Sequence, residues 1–406
     1  MADLLNNIGF YNIKKCTGCG ACVNICPKDC IKLYYDDFGF LKPQVDNRKC
    51  INCGECVNIC PALHPIERHN YPIPICYVAW NKDTKIRQES TSGGVFSVLA
   101  EYILSLDGII SGVVLDEKLR PYHTVATRKD EIKKMRGSKY LQSDTKFIFR
   151  YIKEMLISNR WVLFSGTPCQ VVALYSFLGN KKYTKLITCE VICHGVASIL
   201  VFDWYKEYLE KKESSTIINV NFRSKRYGWR VSAMDFFYAN GKTETILAEK
   251  NIFMKSYYSG LSIRESCTLC DYARLPRIAD ITIGDYWNAL FQDYPRKEIK
   301  KGISLILVNN DKAANVISAL KDKIEYRSIT LQNATAKNTN IVSLGKFDQR
   351  RDDFLLEFSH SDVQYVMKKY FPKTLKNRIS ALLDEIFPKK MKVFIKRNVG
   401  KCTKLL

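Results

Sequence analysis

One twelve-residue pattern occurs twice near the start of this 406-residue chain, and it constrains the local fold more than any other feature. Cys16, Cys19, Cys22 and Cys26, closed by Pro27, return as Cys50, Cys53, Cys56 and Cys60, closed by Pro61. The offset is 34 residues, and only three of the twelve positions differ. Nine of the chain's 16 cysteines lie between Cys16 and Cys60. Two copies are too few for a solenoid, so this is a paired site. The residues Met1–Asn6 show no basic region leading into an apolar run, so no secretory signal is expected there. A cytoplasmic, reducing setting follows, in which cysteines are ligands rather than disulfides.

The spacing C-x2-C-x2-C-x3-C-P is the bacterial run for [4Fe–4S] clusters, which need soft thiolate ligands. Three close cysteines wrap one cluster, and the fourth, before Pro, reaches the other. Cys16, Cys19, Cys22 and Cys60 are therefore assigned to one cluster, and Cys50, Cys53, Cys56 and Cys26 to the second. Gly20 and Gly54 suit tight loops whose amides point at sulfur. A zinc ribbon is the alternative, but it leaves several cysteines over and explains neither proline. The segment from about Asn12 to Pro61 resembles two-cluster bacterial ferredoxins. Cys30, just outside the run, reads as a small buried hydrophobe.

The pattern then changes. Residues 66–75 hold Pro72 and Pro74 and read as a linker. Beyond them, strands at Ile75–Trp80, Ile109–Leu115, Trp161–Ser165 and Lys185–Ile192 alternate with helices at Ser92–Leu106 and Gln170–Leu178. That alternation implies parallel βαβ units. Strands at Ile217–Phe222 and Arg230–Phe237, with a hairpin turn at Asn240-Gly241, make the sheet mixed. The expected fold class is α+β and α/β: a ferredoxin-like domain over residues 1–65, a mixed-sheet α/β domain over 76–345, and a basic helical extension over 346–406. No apolar run is long enough to span a bilayer.

The larger domain has its own cysteines. Cys169, in Gly166-Thr167-Pro168-Cys169-Gln170, and Cys193, in Cys193-His194-Gly195, each follow a predicted strand. Open parallel sheets build sites outside the carboxyl ends of their strands. Cys267 and Cys270 form a C-x2-C pair in a later loop. Together the four suffice for a third [4Fe–4S] cluster, although a C-x2-C alone also suits a dithiol, a zinc half-site or a plain loop. Cys189 competes with Cys193 but falls inside the strand and reads as core. His194 reads as a structural histidine, and Cys76 and Cys402 as packing or surface residues.

These blocks occur in order with Thr91-Ser92-Gly93-Gly94, Arg136-Gly137-Ser138-Lys139-Tyr140, Phe222-Arg223 and Ala279 to Trp287. The ordered set, over about Ile75 to Trp287, resembles the beta-subunit family of coenzyme F420 hydrogenases and dehydrogenases. The resemblance implies an α/β domain with one FAD and one [4Fe–4S] cluster, and hydride exchange between a reduced deazaflavin and the flavin.

Other residues fit that picture less specifically. Ser92, Gly93 and Gly94 open a helix, where free amides favour a phosphate, or form a plain cap. Arg136, Ser138 and Lys139 offer a cation and a hydroxyl to an anionic flavin group, or form a solvated loop. Asp280, Gly284 and Asp285 make a strand-end turn whose carboxylate suits a ribose hydroxyl. Arg223, Lys225, Arg226 and Arg230 cluster around Trp229, as a seat for an acidic ligand or as a solvated face. No G-x-G-x-x-G or P-loop run is present.

The reading is an iron–sulfur flavoprotein oxidoreductase. Electrons pass between an F420-like or other small-molecule hydride carrier, FAD, three clusters and an external redox partner such as a ferredoxin-like carrier. No catalytic side-chain acid or base is assigned. A non-enzymatic electron-transfer subunit, or a ferredoxin-dependent reductase that does not use F420, are the alternatives. The net charge of +22 first suggests nucleic acid, but no recognisable binding module accompanies it. Three clusters and a flavin would bring the charge to about +14. The remainder favours an acidic partner or, through Pro388–Leu406, a peripheral membrane contact.

Overall fold

The computed structural model describes residues 6–11, 13–179, 181–290, 292–345 and 347–372. The chain divides into two compact bodies, 1–356 and 357–406. Most of the basic extension, including Pro388–Leu406 and Cys402, lies outside the described residues. Among those described in the second body, the helix Val363–Tyr370 is capped by Asp362, and Lys369 pairs with Glu357.

The cysteine-rich segment is a two-stranded ribbon and two short helices. β1 (Ile31–Tyr35) pairs antiparallel with β2 (Leu41–Val45). α1 (Ala21–Ile25) starts at Gly20 and α2 (Glu55–Asn58) at Gly54. Both glycines are left-handed, with φ of 79° and 77°. A side chain there would be strained, and on Gly20 it would also strike Thr145.

The larger domain is built on an eight-stranded mixed sheet. Its strands are β3 (Ile75–Asn81), β4 (Ile109–Leu115), β5 (Pro121–Ala126), β6 (Val162–Gly166) and β7 (Leu186–Val191). The antiparallel trio β8 (Ile217–Asn221), β9 (Ala233–Tyr238) and β10 (Thr243–Leu247) forms a separate small sheet. β11 (Ile281–Asp285), β12 (Ser304–Val308) and β13 (Ile324–Ile329) complete the large one, in the order β13-β3-β12-β11-β7-β6-β4-β5. The central run β11-β7-β6-β4 is parallel and the flanks are antiparallel. Buried β-branched and aliphatic residues dominate the central strands, as a sheet covered on both faces requires.

Helices connect and cover the strands: α3 (Thr84–Glu89), α4 (Val95–Ser105), α5 (Lys129–Met135), α6 (Ile148–Ile157), α7 (Pro168–Leu178) and α8 (Ile199–Glu213). The pattern places the start of α4 at Ser92. The structure starts it at Val95, after left-handed Gly94. The Ser92 hydroxyl is not a cap because it donates to the Ile303 carbonyl beside β12. α7 begins with Pro168 and a reciprocal cap between Thr167 and Gln170, which stops it sharply at the end of β6.

Residues 66–74 have no regular secondary structure but are fastened to the larger domain, and residue 75 already opens β3. Asn70 donates to the carbonyls of Arg277, Ile278 and Ala279, each at 2.9 Å. Asp280 stands at the opposite end of β11 from Asp285. It accepts from the Thr188 amide (2.8 Å) and pairs with Lys312 (3.0 Å), locking β7 to its neighbours. Beside it, Glu190 is wholly buried and pairs with Arg277 at 2.5 Å, with Thr282 adding a 2.8 Å bond.

Two measurements test this core. Glu190→Ala leaves a buried guanidinium without its partner and should destabilise the protein by about 3–5 kcal/mol in anaerobic denaturant unfolding. His123, stacked on Phe164 at 5.3 Å, is pushed by burial from 6.5 down to about 4. The unfolded state therefore binds the extra proton first, so stability is lost as pH falls from about 6.5 towards 4. The stability of wild type relative to His123→Leu should fall by about 3 kcal/mol as pH drops across that window.

Candidate functional site

The two copies of the cysteine motif close into two sulfur rings. In the first, burial pushes the Cys19 thiol up to about 12, against a bond from the Ala21 amide, with Cys16, Cys60 and Cys169 adding repulsion. Cys22 is raised by burial and then by Cys19, Cys16 and Cys60. In the second, Cys26, Cys50, Cys53 and Cys56 line one small cavity. Amides already face its sulfurs: Ile8 donates to Cys56 and Asn52 to Cys50, both at 3.4 Å. Cys30 joins this ring, with its sulfur 3.3 Å from Cys26. Burial and the Cys26 bond push its thiol up to about 12. The first ring has His64 at the matching position.

The larger domain gathers a third ring. Cys169 lies in the first turn of α7, where the helix dipole favours a thiolate. Cys193 follows β7, and the Gly195 amide donates to its sulfur at 3.3 Å. Burial raises the Cys193 thiol well above its ordinary range, and Cys267, Cys169 and Cys270 add to this in that order. All four cysteines line one end of a half-buried cavity. Ionising them together is unfavourable until a cationic group neutralises the ring. Among the described residues no three His, Cys, Asp or Glu side chains close in at the spacing of a single metal ion.

This third ring opens into a cavity of about 710 Å³ at the carboxyl ends of β4, β6, β7 and β11, where open α/β sheets bind ligands. Seven basic side chains line it against one carboxylate, Asp285. His194 adds a buried Nε2 with no hydrogen-bond partner, while its Nδ1 faces the Asn340 amide at 3.1 Å. Such a lining suits an anionic ligand of nucleotide size.

The sequence-derived flavin residues gather here with one exception. Ser92, Gly94, Arg136, Ser138, Lys139 and Asp285 all line the cavity, and Gly93 does not. A Cβ on Gly93 would strike the Ala79 carbonyl and the Ser304 amide, so this glycine serves strand packing. Several polar groups of the set already have partners. The Lys139 ammonium sits on the carbonyls of Lys134, Met135 and Arg136, capping the end of α5, and burial lowers its pKa to about 7. Arg136 pairs with Glu89 at 2.7 Å and with Ser97. The Ser138 amide donates to Thr91. Asp285 accepts from Trp229 Nε1 at 2.7 Å, and burial raises its pKa.

The basic cluster around Trp229 is largely internal. Trp229 is buried and stacks on Trp287 at 5.0 Å, with Arg223 over the Trp287 ring. The Lys225 ammonium is held by the carbonyls of Arg87, Ser92 and Lys301. Arg230, by contrast, is exposed and lines the cavity. Cys189 lies in the apolar core of the sheet, and Cys76 is buried in β3.

Sequence reasoning passed over the residues that join the rings. Thr17, between Cys16 and Cys19, lines the large cavity together with Cys169. Gln142 donates to the Thr17 and Gly18 carbonyls (2.9 and 3.1 Å) and accepts from the Leu41 amide. Thr145 donates to the Cys19 carbonyl at 3.1 Å. Arg264 adds bonds to Thr17 and Leu41. Tyr272 lines the cavity with Cys169 and Cys270 and packs against the same apolar cluster as Cys19. Only Arg264, three residues before Cys267, carried a local signal.

Comparison with known proteins agrees with this anatomy. Residues 15–63 match the 4Fe-4S dicluster domain. Residues 76–148 and 159–333 match the N-terminal and C-terminal models of the coenzyme F420 hydrogenase/dehydrogenase beta subunit. An uncharacterised protein of Methanocaldococcus jannaschii is 24% identical, over 74% of this chain and 85% of its own. A chain in the solved F420-reducing [NiFe] hydrogenase complex of Methanosarcina barkeri is 18% identical with a TM-score of 0.45, covering 68% of this chain and 92% of that one. Among the described residues no helix is long and apolar enough to cross a membrane. The two beta-subunit models, met in order behind a dicluster domain, place the chain in the coenzyme F420 hydrogenase/dehydrogenase beta-subunit family as an iron–sulfur protein of the oxidoreductase type.

Proposed function

We propose that this protein is a flavin-dependent iron–sulfur oxidoreductase. It takes hydride equivalents from a reduced deazaflavin, or another small hydride carrier, and passes single electrons to an external protein. One observation carries the reading: four half-buried cysteines form one end of a 710 Å³ cavity whose walls hold seven basic side chains and one acid. That lining fits FAD, with Cys169, Cys193, Cys267 and Cys270 as ligands of a cluster beside it. A bound flavin accepts two electrons as hydride and releases them singly to one-electron clusters.

The chain's own residues supply binding, insulation and direction. Gly94 lets the backbone approach a ligand, and Arg136, Arg230 and Lys337 face an anionic tail. The stacked Trp229–Trp287 pair and the sheet close the opposite side to water. Thr17 links the cavity to the first ferredoxin ring, Cys16, Cys19, Cys22 and Cys60. The second ring, with Cys26, Cys50, Cys53 and Cys56, lies beyond it. There Cys53 is exposed, Ile51 is 57% exposed, and Lys28, Arg48 and Lys49 stand at the surface. An acidic redox partner, such as a ferredoxin-like carrier, suits this exit. The direction of flow follows from the potentials of the two end partners.

Two experiments test the reading. Cys169→Ser should lower iron from about twelve to about eight per chain while leaving the ferredoxin signals intact. Unchanged iron would remove the third cluster. Anaerobic stopped-flow reduction should show a flavin reduced fastest by the deazaflavin when it is compared with NADH, NADPH and reduced ferredoxin. Reduction by ferredoxin alone would reassign the donor, and a purified holoprotein without flavin would make the chain a pure electron-transfer subunit.

A further inference from the structure

Arg264 is 3% exposed, and its surroundings are unusual for a buried cation. Its guanidinium donates to the Thr17 carbonyl, to the Leu41 carbonyl at 2.9 Å and to Gln142 Oε1, and it lies over the Phe40 ring. Its Nε is buried with no hydrogen-bond partner. None of these described bonds goes to a carboxylate. Neutral dipoles do not cancel a full charge, so an isolated guanidinium here would carry a desolvation penalty of several kcal/mol. The opposite charges within its reach are sulfurs: Arg264 lines the same cavity as Cys169, Cys267 and Cys270, and the Cys267 amide donates to its carbonyl at 3.0 Å. The Thr17 carbonyl it grips belongs to the loop between Cys16 and Cys19 in the first ferredoxin ring.

We propose that Arg264 is the fixed counter-charge shared by the core cluster and the first ferredoxin cluster, and that it sets their potentials together. The inference rests on the reading that Cys169, Cys193, Cys267 and Cys270 hold a cluster. Reduction of either cluster adds one electron and one negative charge, with no bond made or broken. A cation fixed between the two stabilises both reduced forms, while the second ferredoxin cluster, at Cys26, Cys50, Cys53 and Cys56, has no share in it. The path from the cavity is thereby kept level over its first step. Arg264 acts through the two clusters and is a positioning residue in this scheme.

The test compares holoprotein of wild type, Arg264→Gln and Arg264→Lys by iron analysis and EPR-monitored redox titration. At the wild-type midpoint of the core cluster, Arg264→Gln should lower the ratio of reduced to oxidised core cluster by about tenfold or more. The first ferredoxin cluster should move in the same direction, and the second should stay put. Arg264→Lys keeps the charge and should stay within about threefold of wild type. A fully loaded Arg264→Gln protein with wild-type ratios overturns the proposal. So does an Arg264→Lys shift of about tenfold or more, which would assign the effect to hydrogen-bond geometry. If Arg264→Gln loses core iron, the Arg264→Lys ratio decides by the same limits. Wild-type iron of about eight per chain would remove the core cluster itself, an outcome separate from unchanged potentials at full iron.

Discussion

The contact between the first cysteine loop and the segment from Gln142 to Arg150 is what the rest of this structure depends on. The loop offers carbonyls at Thr17, Gly18 and Cys19. Gln142, Thr145 and Arg264 donate to them from the larger domain. Asn24 completes the joint by donating to the Lys146 carbonyl and accepting from the Phe149 amide at the start of α6. Each bond is worth only about 0.5–1.5 kcal/mol, but leaving such buried groups unpaired costs more. The joint therefore closes in one register. That register brings Cys19 within the field of Cys169, across two segments separated by most of a βαβ sheet in sequence.

The same contact breaks the symmetry of the repeat. Asn24 and Asn58 occupy matching positions, yet Asn24 is buried in the joint and Asn58 is exposed. Cys19 and Cys53 also match, but Cys19 faces the interior and Cys53 the solvent. Two nearly identical motifs thus become an inner and an outer site. The proposed electron path needs that difference, because it places a cofactor at one end and a partner at the other.

The sheet holds its half of the joint through a buried polar net. Glu190, Arg277 and Thr282 bind one another where β7 and β11 run side by side. Arg277 also reaches the Tyr272 carbonyl, two residues past Cys270. The C-x2-C loop is tied in this way to β7, the strand that delivers Cys193. Much of this site was legible: Cys169 and Cys193 were placed by strand-end logic, and the cavity opens at those strand ends. Gly93 and Lys139 were harder to read. Both lie in suggestive strings, but Gly93 makes room for Ser304, and the Lys139 ammonium closes a helix end. Motif spacing cannot separate these roles, because a glycine or lysine beside a cavity looks the same when its neighbours in space are unknown.

The sequence by itself determined the ferredoxin-type repeat, the alternation of strands and helices, and the cysteines available to hold iron. These are local properties: ligand spacing, hydrophobic period and turn chemistry act over a few residues. Only the tertiary structure decided which ring faces inward, that Thr17 and Cys169 line one cavity, and that the described bonds of buried Arg264 go to carbonyls and not to a carboxylate. Those facts depend on pairs such as Thr17 and Arg264, 247 residues apart. They follow from satisfying buried charges and carbonyls in a single packed arrangement, a constraint that no local pattern encodes.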